Sequence, residues 1–278
     1  MQINIKQIFE TKAPKTAKKV PGFIIRYLEK IVHQDEINEL LARTEGIEGL
    51  DFVDEAIKDF NLTIEVEGLE NVSATDRIII ASNHPIGGLD GIALIGTIGK
   101  IRKDVITPVN DLILFVEPLR PIFIPVNKTG ANAANNARIL NETFEGDKAI
   151  CYFPFGLCSR RVKGRIYDLE WKKTFVTRAR RHQRDVVPTH ITGRLSNRFY
   201  RLAKIRKFLG IKVNIEMLYL VDEFYRQKNK TLKITFGQPI HWEVLDKSRT
   251  DKEWAEQIRN YSYNMTGEPF DPTKNYTL

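Results

Sequence analysis

From residue 62 onward, short strand-type runs of apolar residues alternate with longer stretches in which apolar residues recur at helical spacing. Residues 62–69 alternate apolar and polar side chains, which is typical of a half-buried strand. Residues 77–82 contain three consecutive isoleucines and an alanine, a composition that favours a strand buried on both faces. Strand and helix repeated in this way predict an α/β fold with a mostly parallel central sheet flanked by helices.

The remaining elements follow from the same two periodicities. Further strands are predicted at residues 105–108, 122–126, 149–153, 186–190, 215–220 and 232–236. Helices are predicted at residues 133–145, 172–181, 199–209 and 252–265, and one more begins near Gly91. Before the sheet, a polar leader over residues 1–20 precedes helices at residues 23–32, 35–43 and 52–60. We therefore divide the chain into an N-terminal region, residues 1–61, and a sheet-bearing domain, residues 62–278.

The first of these helices, residues 23–32, is amphipathic, with Arg26 and Lys30 on its polar side. Such a helix can lie on a bilayer with its basic side chains toward the lipid headgroups. It can equally pack its apolar side on the protein's own core. The sequence leaves both alternatives open.

The positive charge of the chain is concentrated in one segment. The chain carries 43 basic and 35 acidic residues, yet seventeen of the basic and only three of the acidic ones lie between Arg160 and Lys212. This segregation indicates an anionic partner, which can be nucleic acid, a lipid headgroup or an acidic protein. The alternative is that the arginines only keep the protein soluble. The segment has few interleaved aromatic residues and no nucleic-acid-binding motif, so we expect no nucleic acid.

The chain lacks the features that carry a protein into or through a membrane. It has no run of eighteen or more apolar residues, the length that spans a bilayer. Its first ten residues lack the apolar segment of a signal peptide, and its two cysteines are too few for a disulfide-rich secreted fold. We expect a cytoplasmic protein.

Residues 82–91, SNHPIGGLDG, are the most unusual stretch. A predicted buried strand ends in Asn83 and His84, and a loop with Gly87 and Gly88 leads to Asp90 at an expected helix start. Sites of α/β proteins are built at the carboxyl ends of strands. A histidine there can accept a proton near neutral pH, while a carboxylate holds its other ring nitrogen. The alternative is structural, with Asp90 as a helix cap and His84 as a turn residue.

His84 and Asp90, with their surroundings, resemble the first motif of the lysophosphatidate (glycerol-phosphate) acyltransferase superfamily. In that motif four residues separate the histidine from the aspartate, whereas five do so here, and the two glycines can absorb the insertion. The HPIGGLDG form is similar to a hemolysin-like subgroup that includes acyltransferases completing ornithine and glycine lipids. The resemblance covers about residues 62–240. It implies that His84 is the general base and that Asp90 orients it.

Three later segments resemble the other motifs of the superfamily in the same order. Residues 121–128 stand in the place of the second motif, and residues 187–189 in that of the fourth. Residues 153–160, FPFGLCSR, resemble the third, with Phe155 where the family has glutamate. A forked guanidinium such as that of Arg160 can bind the charged end of an acceptor. The resemblance implies substrate contacts from Asn83, Gly87, Gly88, Lys128, Phe153, Pro154, Gly156, Ser159 and Arg160.

The resemblance implies an acyltransferase domain over residues 62–278 and transfer of a fatty acyl group to the hydroxyl of a lyso-lipid. The donor would be a thioester of acyl carrier protein or of coenzyme A, with no further cofactor. Phe155, together with the HPIGGLDG form, favours an aminolipid acceptor such as lyso-glycine or lyso-ornithine lipid. The alternative is 1-acyl-sn-glycerol-3-phosphate acyltransferase, an enzyme of phospholipid biosynthesis.

Two further expectations concern chemistry and location. Direct attack of the lipid hydroxyl needs no protein nucleophile, and the alternative is an acyl-cysteine route through Cys151 or Cys158. No metal is expected, since the sequence has no spacing typical of metal ligands. As a lipid-modifying enzyme with a basic segment, the protein is expected to lie on the inner face of the cell membrane, bound to its anionic surface.

Overall fold

A seven-stranded sheet lies at the centre of the computed structural model, which describes residues 2–12, 20–110, 113–126, 133–211 and 214–278. Its strands are β1 (Thr63–Glu67), β2 (Ile78–Ser82), β3 (Val105–Val109), β4 (Phe123–Pro125), β5 (Ala149–Tyr152), β8 (Asp185–Ile191) and β9 (Thr231–Phe236). A separate hairpin is formed by β6 (Arg160–Val162) and β7 (Arg165–Tyr167).

The α-helices that surround the sheet range from one and a half to nearly four turns. They are α1 (Ile5–Lys12), α2 (Gly22–Ile31), α3 (Gln34–Arg43), α4 (Gly49–Asp59), α5 (Gly88–Ile98), α6 (Ala133–Glu145), α7 (Thr174–His182), α8 (Asn197–Phe208), α9 (Leu220–Tyr225) and α10 (Asp251–Tyr263). Short 3₁₀ helices lie at Leu69–Asn71, Ile113–Phe115, Glu117–Ile122, Ile215–Tyr219 and Trp242–Val244.

The strand order is β1-β9-β8-β2-β5-β3-β4, and all the pairings in this sheet are parallel except that of β8 with β9. The predicted α/β class with a mostly parallel sheet is therefore confirmed. Because β8, β2 and β5 are neighbours and run in one direction, their carboxyl ends meet at one edge. Loops that follow these three strands can build a common site there.

The two faces of β2 explain why the sheet is covered on both sides. Successive side chains of a strand point to opposite faces. Ile78 and Ile80 belong to the core cluster that includes residues of α4 and α5, whereas Ile79 and Ala81 belong to the cluster with α7 and α10. Every residue of β2 is buried, as its unbroken apolar run predicts.

Most predicted elements are found within a residue or two of their expected bounds, and one is wrong. Residues 215–220, predicted as a strand, form the 3₁₀ helix Ile215–Tyr219 and the start of α9. They have no strand partner among the described residues, and the segment packs against α8 instead. The β6–β7 hairpin, α1 and α9 are not predicted, because their sequences are charged or short.

The N-terminal region shares the core of the sheet. Ile3, Leu40, Leu41 and Phe52 are buried in the same cluster as Ile80 of β2. In α2, Ile31 is buried but Phe23 is 64% exposed, so the helix packs at one end and faces solvent at the other. None of the helices in the described part of the chain combines the length and the apolar character that a bilayer crossing requires.

Candidate active site

The candidate site lies where β2, β5 and β8 end. Asn83 and His84 follow β2 directly, and Phe153 follows β5. The side chain of Asn83 bonds the backbone of Ile191, the last residue of β8, through both ends of its amide, at 2.9 and 2.7 Å. The two strand ends are thereby held together. This use of the Asn83 amide is structural, although the resemblance implies a substrate contact.

His84 and Asp90 are in direct contact across the loop that separates them. His84 Nδ1 lies 2.7 Å from Asp90 Oδ1, and neither atom has a hydrogen-bond partner elsewhere among the described residues. Asp90 is completely buried, whereas the imidazole of His84 is 20% exposed. The other ring nitrogen, Nε2, forms no hydrogen bond with a described residue. The arrangement leaves Nε2 available as a base.

Asp90 also fixes the start of α5. Its Oδ2 accepts the backbone N–H groups of Ile86 at 2.8 Å and of Gly87 at 3.2 Å. One carboxylate oxygen therefore caps the helix while the other faces the imidazole. The N-cap residue is Gly87, and Asp90 contributes to the cap from the third helical position. Asp90 also contacts the imidazole, and its role as partner of a base stays a prediction.

Gly87 is the residue that makes this loop possible. Its backbone has φ 83° and ψ −137°, a conformation essentially restricted to glycine. A Cβ at this position would lie 2.9 Å from Leu220 Cδ1 and 3.2 Å from Cys158 Sγ. At Gly88 a Cβ would only touch Phe224 at an ordinary 3.6 Å. The extra residue between His84 and Asp90 is thus accommodated at Gly87.

The surroundings of His84 stabilise its protonated form more than water stabilises that of a free histidine. Burial disfavours the charged ring, but the charge of Asp90 and its hydrogen bond outweigh that effect, with a further contribution from the charge of Asp168. The net result is a raised pKa for His84. The ring of Phe153 lies against the imidazole, with centroids 4.3 Å apart, and limits its movement.

A second buried carboxylate, Asp168, lies beneath the first motif and was not singled out by the sequence analysis. Its Oδ1 accepts the hydroxyl of Ser159 at 2.6 Å and the backbone N–H of His84 at 3.4 Å, and its Oδ2 accepts the indole N–H of Trp171 at 2.9 Å. Burial raises the pKa of Asp168 to about 6, against these hydrogen bonds, which lower it. No local pattern predicts this contact, because Asp168 follows His84 by 84 positions in the chain.

The third motif adjoins the first through its backbone. The N–H of Ser159 donates to the carbonyl of His84 at 2.8 Å, and Arg160 is the next residue in the chain. Pro154 is buried, and its carbonyl accepts the N–H of Lys172 at 3.1 Å. Gly156 has a positive φ of 70°, and a Cβ there would lie 3.0 Å from Lys172 Nζ. The structure therefore brings Ser159 and Phe153 to His84, with Arg160 next to Ser159 in the chain, whereas Pro154 and Gly156 belong to the turn between Phe153 and Ser159.

Arg160 lies over the ring of Phe199, with its guanidinium carbon 5.6 Å from the ring centroid. Its Nη2 is 3.4 Å from Oε1 of the buried Glu216. Phe155, by contrast, is buried in the core cluster on the α7 side of the sheet. The phenylalanine that replaces the family's glutamate thus contributes to packing. Lys128, predicted to contact substrate, lies outside the described residues.

Neither cysteine is suited to nucleophilic attack. Cys151 and Cys158 are both buried. Burial raises the pKa of the Cys151 thiol to about 12 and raises that of Cys158 still further above its ordinary value. A thiol attacks as its thiolate, and both groups are thiols near neutral pH. The geometry favours direct attack of a hydroxyl with His84 as the base.

Comparison with known proteins identifies a family and several similar proteins. Residues 7–269 match the model of a protein family described as acyltransferase. Proteins from Bacteroides thetaiotaomicron and Phocaeicola vulgatus, both named lyso-glycine lipid O-acyltransferase, are each 44% identical to this chain over 264 residues. The matches cover 95% of this chain and 97% and 95% of those proteins. The crystal structure of the 1-acyl-sn-glycerophosphate acyltransferase PlsC from Thermotoga maritima covers 88% of this chain, and 90% of its own, at 16% identity with a TM-score of 0.47.

Proposed function

Because the chain belongs to this acyltransferase family, we propose that it transfers a fatty acyl group from a thioester to the hydroxyl of lyso-glycine lipid. The acceptor is taken from the two relatives that bear this name and align along 95% of the chain. The earlier expectation of a lyso-aminolipid acceptor is narrowed here to the glycine lipid.

The observation that carries the proposed mechanism is the 2.7 Å contact between His84 Nδ1 and Asp90 Oδ1. With Nδ1 held, Nε2 takes the proton of the lipid hydroxyl as its oxygen attacks the thioester carbonyl. The carbon–sulfur bond then breaks, and the departing thiolate takes the proton back from the imidazolium. Asp90 stabilises the positive charge that forms on the ring, since its buried carboxylate lies beside it.

Arg160 is the proposed contact for the acceptor's charged end. It follows Ser159 in the chain, and the N–H of Ser159 bonds the His84 carbonyl. Its Nη1 is buried and has no hydrogen-bond partner among the described residues. A carboxylate of the glycine headgroup can accept a hydrogen bond from this nitrogen.

The donor is proposed to be acyl carrier protein or coenzyme A, both of which are anionic. The exposed Arg161, Lys163 and Arg165 of the β6–β7 hairpin, which follows the third motif in the chain, favour the approach of an anionic donor. The seventeen basic residues between Arg160 and Lys212 overstate the positive charge that is exposed, because some of them are buried or paired. Arg184 is fully buried and donates to the carbonyls of Phe144 and Lys148, and Arg180 pairs with Asp251 at 2.8 Å.

We propose that the enzyme lies on the inner face of the membrane through one surface made of α2, α8 and the 3₁₀ helix Ile215–Tyr219. These elements pack together, and the hydroxyls of Tyr27 and Tyr219 are 2.8 Å apart. The surface exposes apolar side chains and, around them, basic ones. The apolar residues are Phe23, Ile24, Tyr27, Ile205, Phe208, Leu209, Ile211 and Leu218, and the basic ones are Arg26, Lys30, Arg201, Lys204 and Lys207.

This composition fits an anionic bilayer. Apolar side chains enter the boundary between headgroups and acyl chains, while lysines and arginines remain with the phosphates. Phe208 is 89% exposed, which is unusual for a phenylalanine in a water-facing helix. A membrane position also gives the enzyme access to a lipid acceptor.

The test of the reaction is an acylation assay with purified protein, lyso-glycine lipid and either acyl carrier protein or coenzyme A thioester. Formation of the diacylated glycine lipid is expected with at least one donor. The alternative function predicts efficient acylation of lysophosphatidate instead. A kcat/KM for lysophosphatidate above that for lyso-glycine lipid would overturn the proposed acceptor and leave the role of His84 unaffected.

A further inference from the structure

Glu216 is a fully buried carboxylate held between two arginines from distant parts of the chain. Arg206, on α8, donates from Nε to Oε2 at 2.9 Å. Arg160, on β6, places Nη2 3.4 Å from Oε1. Burial of an ionised carboxylate requires such partners, and two guanidinium groups more than compensate one carboxylate. The three side chains together carry one net positive charge.

Two polar atoms on the Arg160 side of this cluster lack a hydrogen-bond partner among the described residues. Both Arg160 Nη1 and Glu216 Oε1 are buried, and neither has a hydrogen-bond partner among the described residues. An unpaired buried donor is costly, so its presence needs an explanation. Arg206 has a different environment, because its Nη1 already donates to the carbonyl of Ile211 at 2.9 Å. The open donor of the cluster is therefore on Arg160, which follows Ser159 of the third motif.

The segment that carries Glu216 also reaches the loop of the first motif. Leu220, four residues further on, comes within 2.9 Å of the position a Cβ would take on Gly87, and Phe224 lies beside Gly88. The segment that carries Glu216 thus packs against the first-motif loop, although no motif of the family resemblance includes it.

We propose that Glu216 is a specificity-determining residue that sets the charge offered to the acceptor headgroup, an inference that rests on the proposed lyso-glycine lipid function. It neutralises one of the two arginines and leaves one positive charge, with Arg160 Nη1 as the free donor. One charge and one donor match a single carboxylate. A phosphate monoester, which carries between one and two negative charges near neutral pH, is opposed by the buried carboxylate of Glu216.

The experiment compares kcat/KM for lyso-glycine lipid and for lysophosphatidate, with one acyl donor, in the wild-type enzyme and in Glu216→Gln. The substitution keeps the shape of the side chain and raises the net charge of the cluster by one. The preference for lyso-glycine lipid over lysophosphatidate is expected to fall at least about tenfold, the size of one lost or gained charged hydrogen bond, and mainly through KM.

Glu223→Gln is the matched control. Glu223 is a buried carboxylate on the adjacent α9, but it accepts hydrogen bonds from the backbone N–H and the hydroxyl of Ser196 and pairs with no arginine among the described residues. Its substitution is expected to leave the ratio of the two kcat/KM values unchanged. An equal change of ratio in Glu216→Gln and Glu223→Gln would refute the proposal.

Arg206→Gln lowers the net charge of the cluster by one, whereas Glu216→Gln raises it. It also provides a test of the proposal if Glu216→Gln does not fold. Removing this charge leaves the cluster neutral, so the preference for lyso-glycine lipid over lysophosphatidate is expected to increase. A purely structural cluster would lower kcat for both acceptors by the same factor and leave the ratio constant, which would overturn the proposal. If the wild-type enzyme acylates lysophosphatidate better than lyso-glycine lipid, the proposed function itself fails, and that outcome is distinct from an unchanged ratio.

Discussion

Asp168 holds the backbone of His84 without touching its imidazole. Its Oδ1 accepts the His84 N–H at 3.4 Å while the same oxygen accepts the hydroxyl of Ser159. The charge of Asp168 contributes to the raised pKa of His84, although the nearer Asp90 contributes more. Two carboxylates therefore bias one imidazole toward its protonated form.

This relationship predicts a pH profile. A general base acts in its neutral form, so kcat/KM is expected to rise with pH through a pKa above that of a free histidine, about 6.5. In Asp168→Asn the limb is expected to move to lower pH by up to about one unit, since one negative charge is lost. The pH dependence of kcat/KM, measured between pH 5 and pH 9 for the wild type and for Asp168→Asn, gives the position of the rising limb in each. A limb that stays in place in the variant would show that Asp168 acts only in packing.

The His84 base is tested by removing it. His84→Ala is expected to lower kcat at least about a hundredfold, the usual contribution of general-base catalysis, while the melting temperature changes little. Near-normal turnover in this variant would rule out the proposed mechanism.

Two substitutions of Asp90 are expected to separate its two roles. In Asp90→Asn, the side-chain oxygen can still accept the N–H groups of Ile86 and Gly87, but the negative charge beside His84 is gone. In Asp90→Ala both functions are lost. Both variants are expected to have low kcat, and Asp90→Ala is expected to have a lower Tm by the equivalent of about 1 kcal/mol, the usual value of a helix cap. Equal Tm values would show that the cap contributes nothing.

Gly87→Ala is expected to destabilise the protein. The new Cβ would meet Leu220 Cδ1 at 2.9 Å, and alanine would have to adopt φ 83°, at a cost of about 1–3 kcal/mol. Gly88→Ala is the matched control for stability, since its Cβ makes only an ordinary contact with Phe224. Thermal unfolding measures the stability of both variants. Similar Tm values would contradict the prediction that only glycine is tolerated without strain at position 87.

The two cysteines are expected to resist alkylation in the folded enzyme. Burial keeps Cys151 and Cys158 as thiols at pH 8, so iodoacetamide should leave activity intact and should label them only after unfolding. Mass spectrometry of the labelled protein provides the readout. Rapid labelling of Cys158 with a matching loss of activity would support the alternative route through an acyl-cysteine intermediate.

Membrane binding is expected to depend on the apolar tip of α8 and on salt. Phe208→Ser with Leu209→Ser should weaken sedimentation with anionic vesicles, and higher ionic strength should weaken it further. Ile113→Ser, which removes another exposed apolar side chain on a different surface segment, is the control. Undiminished binding by the Phe208 and Leu209 variant would place the membrane contact elsewhere on the protein.

The strands of the sheet could be predicted because burial alone determines their composition. β2 is buried throughout and reads as an unbroken apolar run, whereas β1 is half-buried and alternates. Residues 215–220 show where this reasoning fails. They are rich in apolar residues, but the buried Glu216 and the exposed Leu218 reflect packing against α8 and the surface rather than sheet pairing.

The β6–β7 hairpin carries a local signal in its turn. Lys163 and Gly164, between its strands, both have positive φ, as a two-residue turn between twisted strands requires. A glycine between two short charged strands is weak evidence, yet it could have indicated the turn. The contacts of Asp168 and Glu216 had no such signal, because each joins residues far apart in sequence through the folded sheet.

The contact between His84 and Asp90 also bears on how proteins of this kind can be recognised from genomes. A search pattern that permits only four residues between histidine and aspartate would pass over this chain, although the two side chains meet at 2.7 Å. The left-handed turn at Gly87 takes up the additional residue and returns Asp90 to the imidazole. A pattern that allows a variable gap, provided that a glycine immediately precedes the helix, would describe the chemistry better than one that counts positions.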